Sequence, residues 1–224
     1  MDQHLNWKYQ INNVSKKISR SVGILSKLRH YLPNEILINI YYCLVYSHLS
    51  YGIQCWGSAC ATDLEKLLIL QKKAVRILTG NRYYQIYGDQ PGPLPASNPL
   101  FVKLRFLKVI DIYRLNVAKF IFSTLCGQSP DVFSNWFIYT NDLHAHSLRS
   151  NVRIIQENYF DVGVEQKLYT LFIPNSKLVN YGDKLVKVYG AKLWNSIPEH
   201  IQDKCTVQTF KMHLKAHLIN DYTN

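Results

Sequence analysis

No stretch of the 224-residue chain is apolar for long enough to span a lipid bilayer. The longest apolar run lies within residues 36–46, whereas a bilayer-spanning helix needs about 20 apolar residues. The opening MDQHLNWKYQ has no apolar core after a basic start, so it is not typical of a signal peptide. Five cysteines at irregular spacing argue against a disulfide framework. We therefore predict an intracellular protein, nuclear or cytoplasmic, with reduced thiols and no membrane partner.

Side chains that carry out chemistry are scarce. Two-metal phosphoryl transfer needs carboxylates that hold two cations roughly 4 Å apart, yet no two aspartates are adjacent. The Tyr-Gly-Asp triplets at 87–89 and 181–183 resemble only half of a polymerase metal motif, and we interpret both as turns. His213 and His217 have a spacing that can bind zinc with Cys205, but the lack of a fourth ligand favours an ordinary helix face. Walker loops, dinucleotide fingerprints and nucleophile triads are also lacking. We predict no catalytic residue, metal site or cofactor.

What the chain has in excess is positive charge. It contains 26 Lys and Arg against 15 Asp and Glu, a formal net charge of +11 at pH 7. The excess is uneven, because residues 1–82 hold 11 basic and 4 acidic residues, whereas residues 83–224 hold 15 and 11. A charge of this size suggests a polyanionic partner. The first third of the chain is therefore the better place to look for nucleic-acid contacts.

One basic helix is predicted between about Asn12 and Arg29. Apolar residues recur there every three or four positions, which indicates a core face made of Ile11, Val14, Ile18, Val22 and Leu25. The opposite side carries Lys16, Arg20 and Lys27. Such a row could contact a phosphate backbone. It could equally be an ordinary solvated face, and both interpretations stay open at this point.

A second basic helix is predicted between Thr62 and Gly80. Thr62 and Glu65 match a capping box, and Gly80 offers a C-terminal stop. One face carries Leu64, Leu67, Leu68, Val75 and Leu78, and another carries Lys66, Lys73 and Arg76. The residues that we predict to bind nucleic acid through its phosphates are Lys16, Arg20, Lys27, Lys66, Lys73 and Arg76.

The segment between the two basic helices is almost continuously apolar. Residues 36–46 predict a helix that is buried on nearly every side and that Pro33 opens. Trp56, in the loop that follows, is interpreted as a packing anchor in preference to a base-stacking platform.

Further helices and one short hairpin are predicted in the remaining two thirds of the chain. Four prolines between Asn81 and Pro99 force extended backbone, which indicates a loop or linker. Helices are predicted at about 101–107, 109–125, 131–142, 191–195 and 206–219, the last with Phe210, Leu214 and Leu218 inward. Strands are predicted at 169–174 and 185–189, and these could pair as a hairpin. The predicted fold class is mainly α, with a basic helical region at 1–82, a Pro-rich loop at 83–100 and a C-terminal helical region at 101–224 that holds the hairpin.

Four segments share a family pattern. They are Val14–Arg20 with Leu28 and Arg29, Tyr51–Ile53 with Trp56 and Gly57, Leu70–Arg76, and Tyr189–Pro198. In this order they resemble the C-terminal part of reverse transcriptases from jockey-like non-long-terminal-repeat retrotransposons. The opening Leu5–Lys8 looks like the start of the same region.

The resemblance implies a thumb-like helical region at 1–82 and a tail after it. In that family the metal-binding aspartates and the endonuclease lie upstream of the similar region. The resemblance therefore implies a chain from a truncated or decayed element copy that contacts template–primer or element RNA without performing chemistry. A separate polymerase palm would be a further partner. The proline-rich stretch at 91–99 departs from the family pattern.

Two functions from different classes follow. The first is a nucleic-acid-binding remnant of an RNA-directed DNA polymerase, with RNA, DNA or an RNA–DNA hybrid as its partner. The alternative is an orphaned interaction module, because the apolar helix at 36–46 could expose a face that a missing palm once covered. A retained phosphoryl-transfer activity is disfavoured by the lack of paired carboxylates.

Overall fold

The computed structural model describes residues 7–79, 96–140, 170–175 and 182–223. These residues are mainly helical, which confirms the predicted fold class. The α-helices are α1 (Lys8–Leu28), α2 (Asn34–Tyr41), α3 (Ser47–Ser50), α4 (Ile53–Trp56), α5 (Ala61–Thr79), α6 (Asn98–Leu104), α7 (Val109–Leu125), α8 (Val186–Asn195), α9 (Glu199–Gln202) and α10 (Val207–Asn220). A π-helical turn, Tyr42–Tyr46, joins α2 to α3, and a 3-10 helix covers Asp131–Phe133. The helix predicted at 109–125 is confirmed at both ends.

The chain divides into two compact units. The first unit consists of Met1–Asn116 and Lys211–Asn224, and the second is Val117–Phe210. Most of the loop predicted at 83–100, and the helix stop predicted at Gly80, lie outside the described residues. The division of the chain at residues 82 and 101 stays a prediction.

In the first unit, α1 packs against α5 with its predicted apolar face. Ile11, Val14, Ile18 and Leu25 are buried, whereas Val22 is half-buried and Ser21 is buried in its place. The Ser21 hydroxyl is 3.1 Å from the carbonyl oxygen of Leu44 in the π-helical turn and 3.0 Å from that of Lys17. A hydroxyl is tolerated in this core because backbone acceptors are within its reach.

The helical stretch from α2 through α3 is buried along one face only. Leu37, Tyr41, Val45 and Leu49 are buried, but Ile36 is 44% exposed and Tyr42 is 36% exposed. The prediction of burial on nearly every side is therefore wrong. The physical reason is that α1 and α5 pack on one side of this helix, and a helix that is covered on one side buries one stripe. Pro33 does precede the first residue of α2, as predicted.

The predicted capping box at the start of α5 is also wrong. The helix begins at Ala61, so the residue before it is Cys60, whose carbonyl accepts hydrogen bonds from the amides of Asp63 and Leu64 at 3.0 and 3.1 Å. Thr62 lies inside the first turn, and its hydroxyl donates to Cys60 Sγ at 3.4 Å. A capping side chain has to precede the helix to reach the free amides. The inner face predicted for this helix, by contrast, is buried.

A buried glutamine ties α5 to two other parts of the first unit. Gln71 is 0% exposed. Its Nε2 donates to the Tyr41 hydroxyl at 3.0 Å and to the Leu107 carbonyl at 2.7 Å, and its Oε1 accepts from the Val109 amide at 2.9 Å. Both donors and the oxygen of the amide are thus used. Burial raises the pKa of the Tyr41 hydroxyl, so this group stays protonated at neutral pH.

The segment from Tyr51 to Gly57 is a packing corner. Gly52 has a φ of 60°, a left-handed conformation that suits glycine. Trp56 is 2% exposed, and its Nε1 donates to the Tyr51 carbonyl at 2.9 Å, which confirms the packing anchor. At Gly57, a Cβ atom would lie 2.3 Å from Cδ2 of Tyr113 in α7. Only glycine therefore fits this close approach.

Stacked aromatic rings form the core of the second unit. The Phe210 ring lies 4.6 Å from Phe122 and 5.8 Å from Trp194, measured between ring centroids. A Cβ atom on Gly190 of α8 would lie 3.0 Å from Cδ1 of Ile121 in α7, so a small residue suits this contact. The segment from Tyr189 to Pro198 thus supplies core residues of this unit.

The hairpin predicted at about 169–189 is wrong in its second strand, because residues from Val186 onward form α8. Leu171 instead makes an isolated antiparallel bridge with Tyr139. Asn195, the last residue of α8, forms two hydrogen bonds with the backbone of Leu171. Its side chain accepts from the Leu171 amide at 2.8 Å and donates to the Leu171 carbonyl at 2.9 Å. Strand propensity is overridden here because Val188, Ala191 and Trp194 lie on one helical face and are all buried.

Candidate nucleic-acid interface

Helix α1 carries basic residues and no acidic ones. Its five cations are Lys8, Lys16, Lys17, Arg20 and Lys27. Residues turn by 100° each along an α-helix, so Lys16, Arg20 and Lys27 point within about 40° of one another. All three are exposed, and they form no ion pair with any described residue. This set, the α1 basic row, keeps its charge available for an external anion.

Two residues of the α1 basic row also line a groove between α1 and α5. The groove has a volume of about 580 Å³ and is lined by Ser15, Lys16, Ser19, Arg20, Lys66, Ile69 and Leu70. Three of the six predicted residues therefore meet here. Charged and neutral donors both bind phosphate oxygens, so three cations and two serine hydroxyls suit a phosphate.

The cations of α5 differ from those of α1 because several are paired. Lys66 Nζ lies 2.7 Å from Asp63 Oδ1, and Lys72 Nζ lies 3.6 Å from Glu65 Oε1. In each pair one partner is exposed and the other is half-buried. Ion pairs near the protein surface stabilise a protein by about 0–1 kcal/mol, so a polyanion could displace the carboxylates. Lys73 is exposed and forms no ion pair with the described residues.

Arg76 has a different environment from the other five predicted residues. Those five side chains are exposed, whereas Arg76 is half-buried. Its Nε is buried and has no hydrogen-bond partner among the described residues. A buried donor without a partner is costly, so this guanidinium would gain from an acceptor.

Sequence reasoning missed the two serines and a second basic cluster. Ser15 and Ser19 each precede a predicted cation and are spaced four apart, a signal that could have placed them on the side of α1 facing α5. The second cluster consists of Arg105, Lys211 and Lys215. Burial lowers the pKa of Lys215, and the nearby charges of Lys211 and Arg105 lower it further. No sequence signal connects Arg105 to Lys211 and Lys215, which lie about a hundred positions later.

Lys108, near the start of α7, is committed to a structural contact. Its Nζ lies 4.0 Å from the centroid of the Tyr222 ring, and its amide donates to the Tyr222 hydroxyl at 3.0 Å. That hydroxyl in turn donates to the carboxylate of Asp111. Burial, followed by the charge of Asp111, raises the pKa of Tyr222. These contacts hold Tyr222 against the start of α7 and leave Lys108 unsuited to an external phosphate.

Within the described ranges, no three or more His, Cys, Asp or Glu side chains come together as a metal site. Cys205, His213 and His217 are all described and do not form such a group. Across the same ranges, no helix combines the length and apolarity needed to cross a membrane. All five cysteines are free and exposed.

Comparison with known proteins gives a match over half of the chain. Across 120 residues, which are 52% of this chain, the sequence is 31% identical to the RNA-directed DNA polymerase from mobile element jockey of Drosophila melanogaster. The chain spans 13% of that protein's length. No protein-family model and no solved structure matches the chain. The identity over half the chain supports a region related to a retrotransposon reverse transcriptase.

Proposed function

We propose that this chain is a reverse-transcriptase-derived module that holds nucleic acid by its phosphates and performs no chemistry of its own. The observation that carries the proposal is the charge of α1, five cations without an acidic residue over 21 positions. Solvated helix faces usually mix both signs, and α5 does so. A helix of one sign repels itself unless an anion neutralises it.

The proposed binding site is the groove between α1 and α5. Lys16 and Arg20 on one side and Lys66 on the other can contact one backbone, and the Ser15 and Ser19 hydroxyls can donate to the same oxygens. Lys27 and Lys73 would extend the contact along each helix, and Arg76 would add a guanidinium near the end of α5. The likeness to an RNA-directed DNA polymerase, whose template and product are nucleic acids, supports this class of partner. In this proposal the region is thumb-like, and its ligand is RNA, DNA or an RNA–DNA hybrid.

Replacing Lys16 and Arg20 together with alanine is expected to weaken binding of every nucleic acid to a similar degree. Each phosphate contact contributes about 0.9 to the slope of log affinity against log salt for a duplex. The double substitution should therefore reduce that slope by about 1.8 and lower affinity about tenfold at low salt. Fluorescence-anisotropy titrations of a hybrid, duplex DNA and single-stranded RNA at about 50 and 200 mM salt measure both quantities.

The matched control is Lys184→Ala with Lys187→Ala, which removes two positive charges from exposed positions of the second unit. This variant should bind like the unmodified chain. If both double variants lose the same affinity, net charge alone governs binding and the groove is not the site. Absence of binding by the unmodified chain at low salt would contradict the proposed function itself.

The second candidate function is an interaction module, favoured by the exposed apolar residues Ile36 and Tyr42. If this face needs a partner such as a palm, the isolated chain should self-associate. Size-exclusion chromatography with light scattering then gives a mass above the 26.1 kDa of one chain, and Ile36→Lys should restore a monomer. A monomer at all concentrations would argue against this function.

A further inference from the structure

Tyr9 stands out among the exposed residues of α1. It is 80% exposed, although a tyrosine usually buries its ring. Its position follows from the helical repeat: Lys16, Arg20 and Lys27 are 7, 11 and 18 residues further on. At 100° per residue, these three cations point within about 20° of the direction of Tyr9. The ring and the α1 basic row thus share one line along the helix.

The distances along this line suit a nucleic-acid strand. With a rise of 1.5 Å per residue, the three cations lie about 10, 16 and 27 Å from Tyr9 along the helix axis. Proteins that bind single strands combine such a track of positive charge with aromatic rings on which bases stack. A duplex offers phosphates to the cations, but its bases are stacked on each other and cannot use the ring.

We infer that Tyr9 is a stacking platform for an unpaired base of a single-stranded nucleic acid whose phosphates lie along the α1 basic row. This inference rests on the proposed function, and it adds a preference that the cations alone do not give. Charge complementarity indicates that the ligand of this face is a polyanion, because α1 carries no acidic residue. The exposed ring indicates that this polyanion carries unstacked planar groups.

The test compares Tyr9→Ala, Tyr9→Phe and Tyr51→Ala. Tyr51 is a matched control because it is 81% exposed and no Lys or Arg lies within seven residues of it. The probes are a single-stranded RNA of about 12 nucleotides and the blunt duplex of the same sequence, titrated by fluorescence anisotropy. Tyr9→Ala is expected to weaken single-strand binding about tenfold and to leave duplex binding within about twofold. Tyr9→Phe should bind like the unmodified chain because the ring remains.

A second readout reports stacking directly. A 2-aminopurine base in the single strand should lose fluorescence on binding the unmodified chain and keep it on binding Tyr9→Ala. Circular dichroism checks that each variant folds, which we expect since the side chain is solvent-exposed. If Tyr9→Ala and Tyr51→Ala bind the single strand equally well, the stacking role is overturned while phosphate binding stands. If the unmodified chain binds neither probe at low salt, the proposed function fails instead.

Discussion

Gln71→Ala is expected to destabilise the chain by about 3–5 kcal/mol. The substitution leaves the Tyr41 hydroxyl, the Leu107 carbonyl and the Val109 amide without their hydrogen-bond partner inside the core. Each buried polar group left unpaired costs about 1–3 kcal/mol, and the cavity left by the side chain adds to this. Urea unfolding followed by far-UV circular dichroism measures the change as a lower midpoint.

The control for this substitution is Tyr41→Phe, which removes one of the three hydrogen bonds and preserves the ring. The Tyr41 ring stacks on Phe106 with centroids 4.4 Å apart, and phenylalanine can keep this contact. We expect a loss of about 1–2 kcal/mol. Equal losses for the two variants would show that the hydroxyl alone matters. A loss below about 1 kcal/mol for Gln71→Ala would contradict the role of Gln71 as the link between α2, α5 and α7.

Gly57→Ala is expected to cost about 3 kcal/mol of stability. The new methyl group would lie 2.3 Å from Cδ2 of Tyr113 and 2.6 Å from the carbonyl oxygen of Ile53, and backbone atoms cannot simply move aside. Thermal unfolding followed by circular dichroism should show a clearly lower midpoint for this variant.

Gly23→Ala provides the matched control, since it is the same chemical change on helix α1. Apart from its chain neighbours and the adjacent backbone of its own helix, nothing lies within 4 Å of the position that its Cβ would take. Alanine is the better helix former, so this variant should gain about 0.5–1 kcal/mol. The opposite signs separate steric exclusion at Gly57 from a general effect of glycine replacement. A stable Gly57→Ala variant would refute the close approach to Tyr113.

Several residues of the segments that carry the family resemblance have packing roles. Gly57 permits the approach of Tyr113, Trp56 and Trp194 are buried, and Asn195 holds the backbone of Leu171. At these positions the segments supply packing contacts to the two units. Four of the six residues proposed to bind nucleic acid also lie within these segments, namely Lys16, Arg20, Lys73 and Arg76.

The sequence by itself determined the local structure and the distribution of charge. Apolar spacing predicted α1, α5, α7 and α10, because helical periodicity depends on neighbours within a few turns. The basic excess of the first third of the chain can be counted directly from the sequence. The sequence pattern misplaced the start of α5. It predicted Thr62 as the capping residue, whereas the helix begins at Ala61 and Cys60 precedes it. The location in the nucleus or cytoplasm stays a prediction.

The tertiary structure alone decided which of these surfaces meet and which stay open. It brought Lys16 and Arg20 beside Lys66, joined Gln71 to three distant groups, and left one side of α2 in solvent. It also turned a predicted strand into α8, since burying Val188 and Trp194 on one helical face outweighed their strand propensity. The physical reason is that burial depends on what packs against a residue, and long-range packing leaves no period in the sequence.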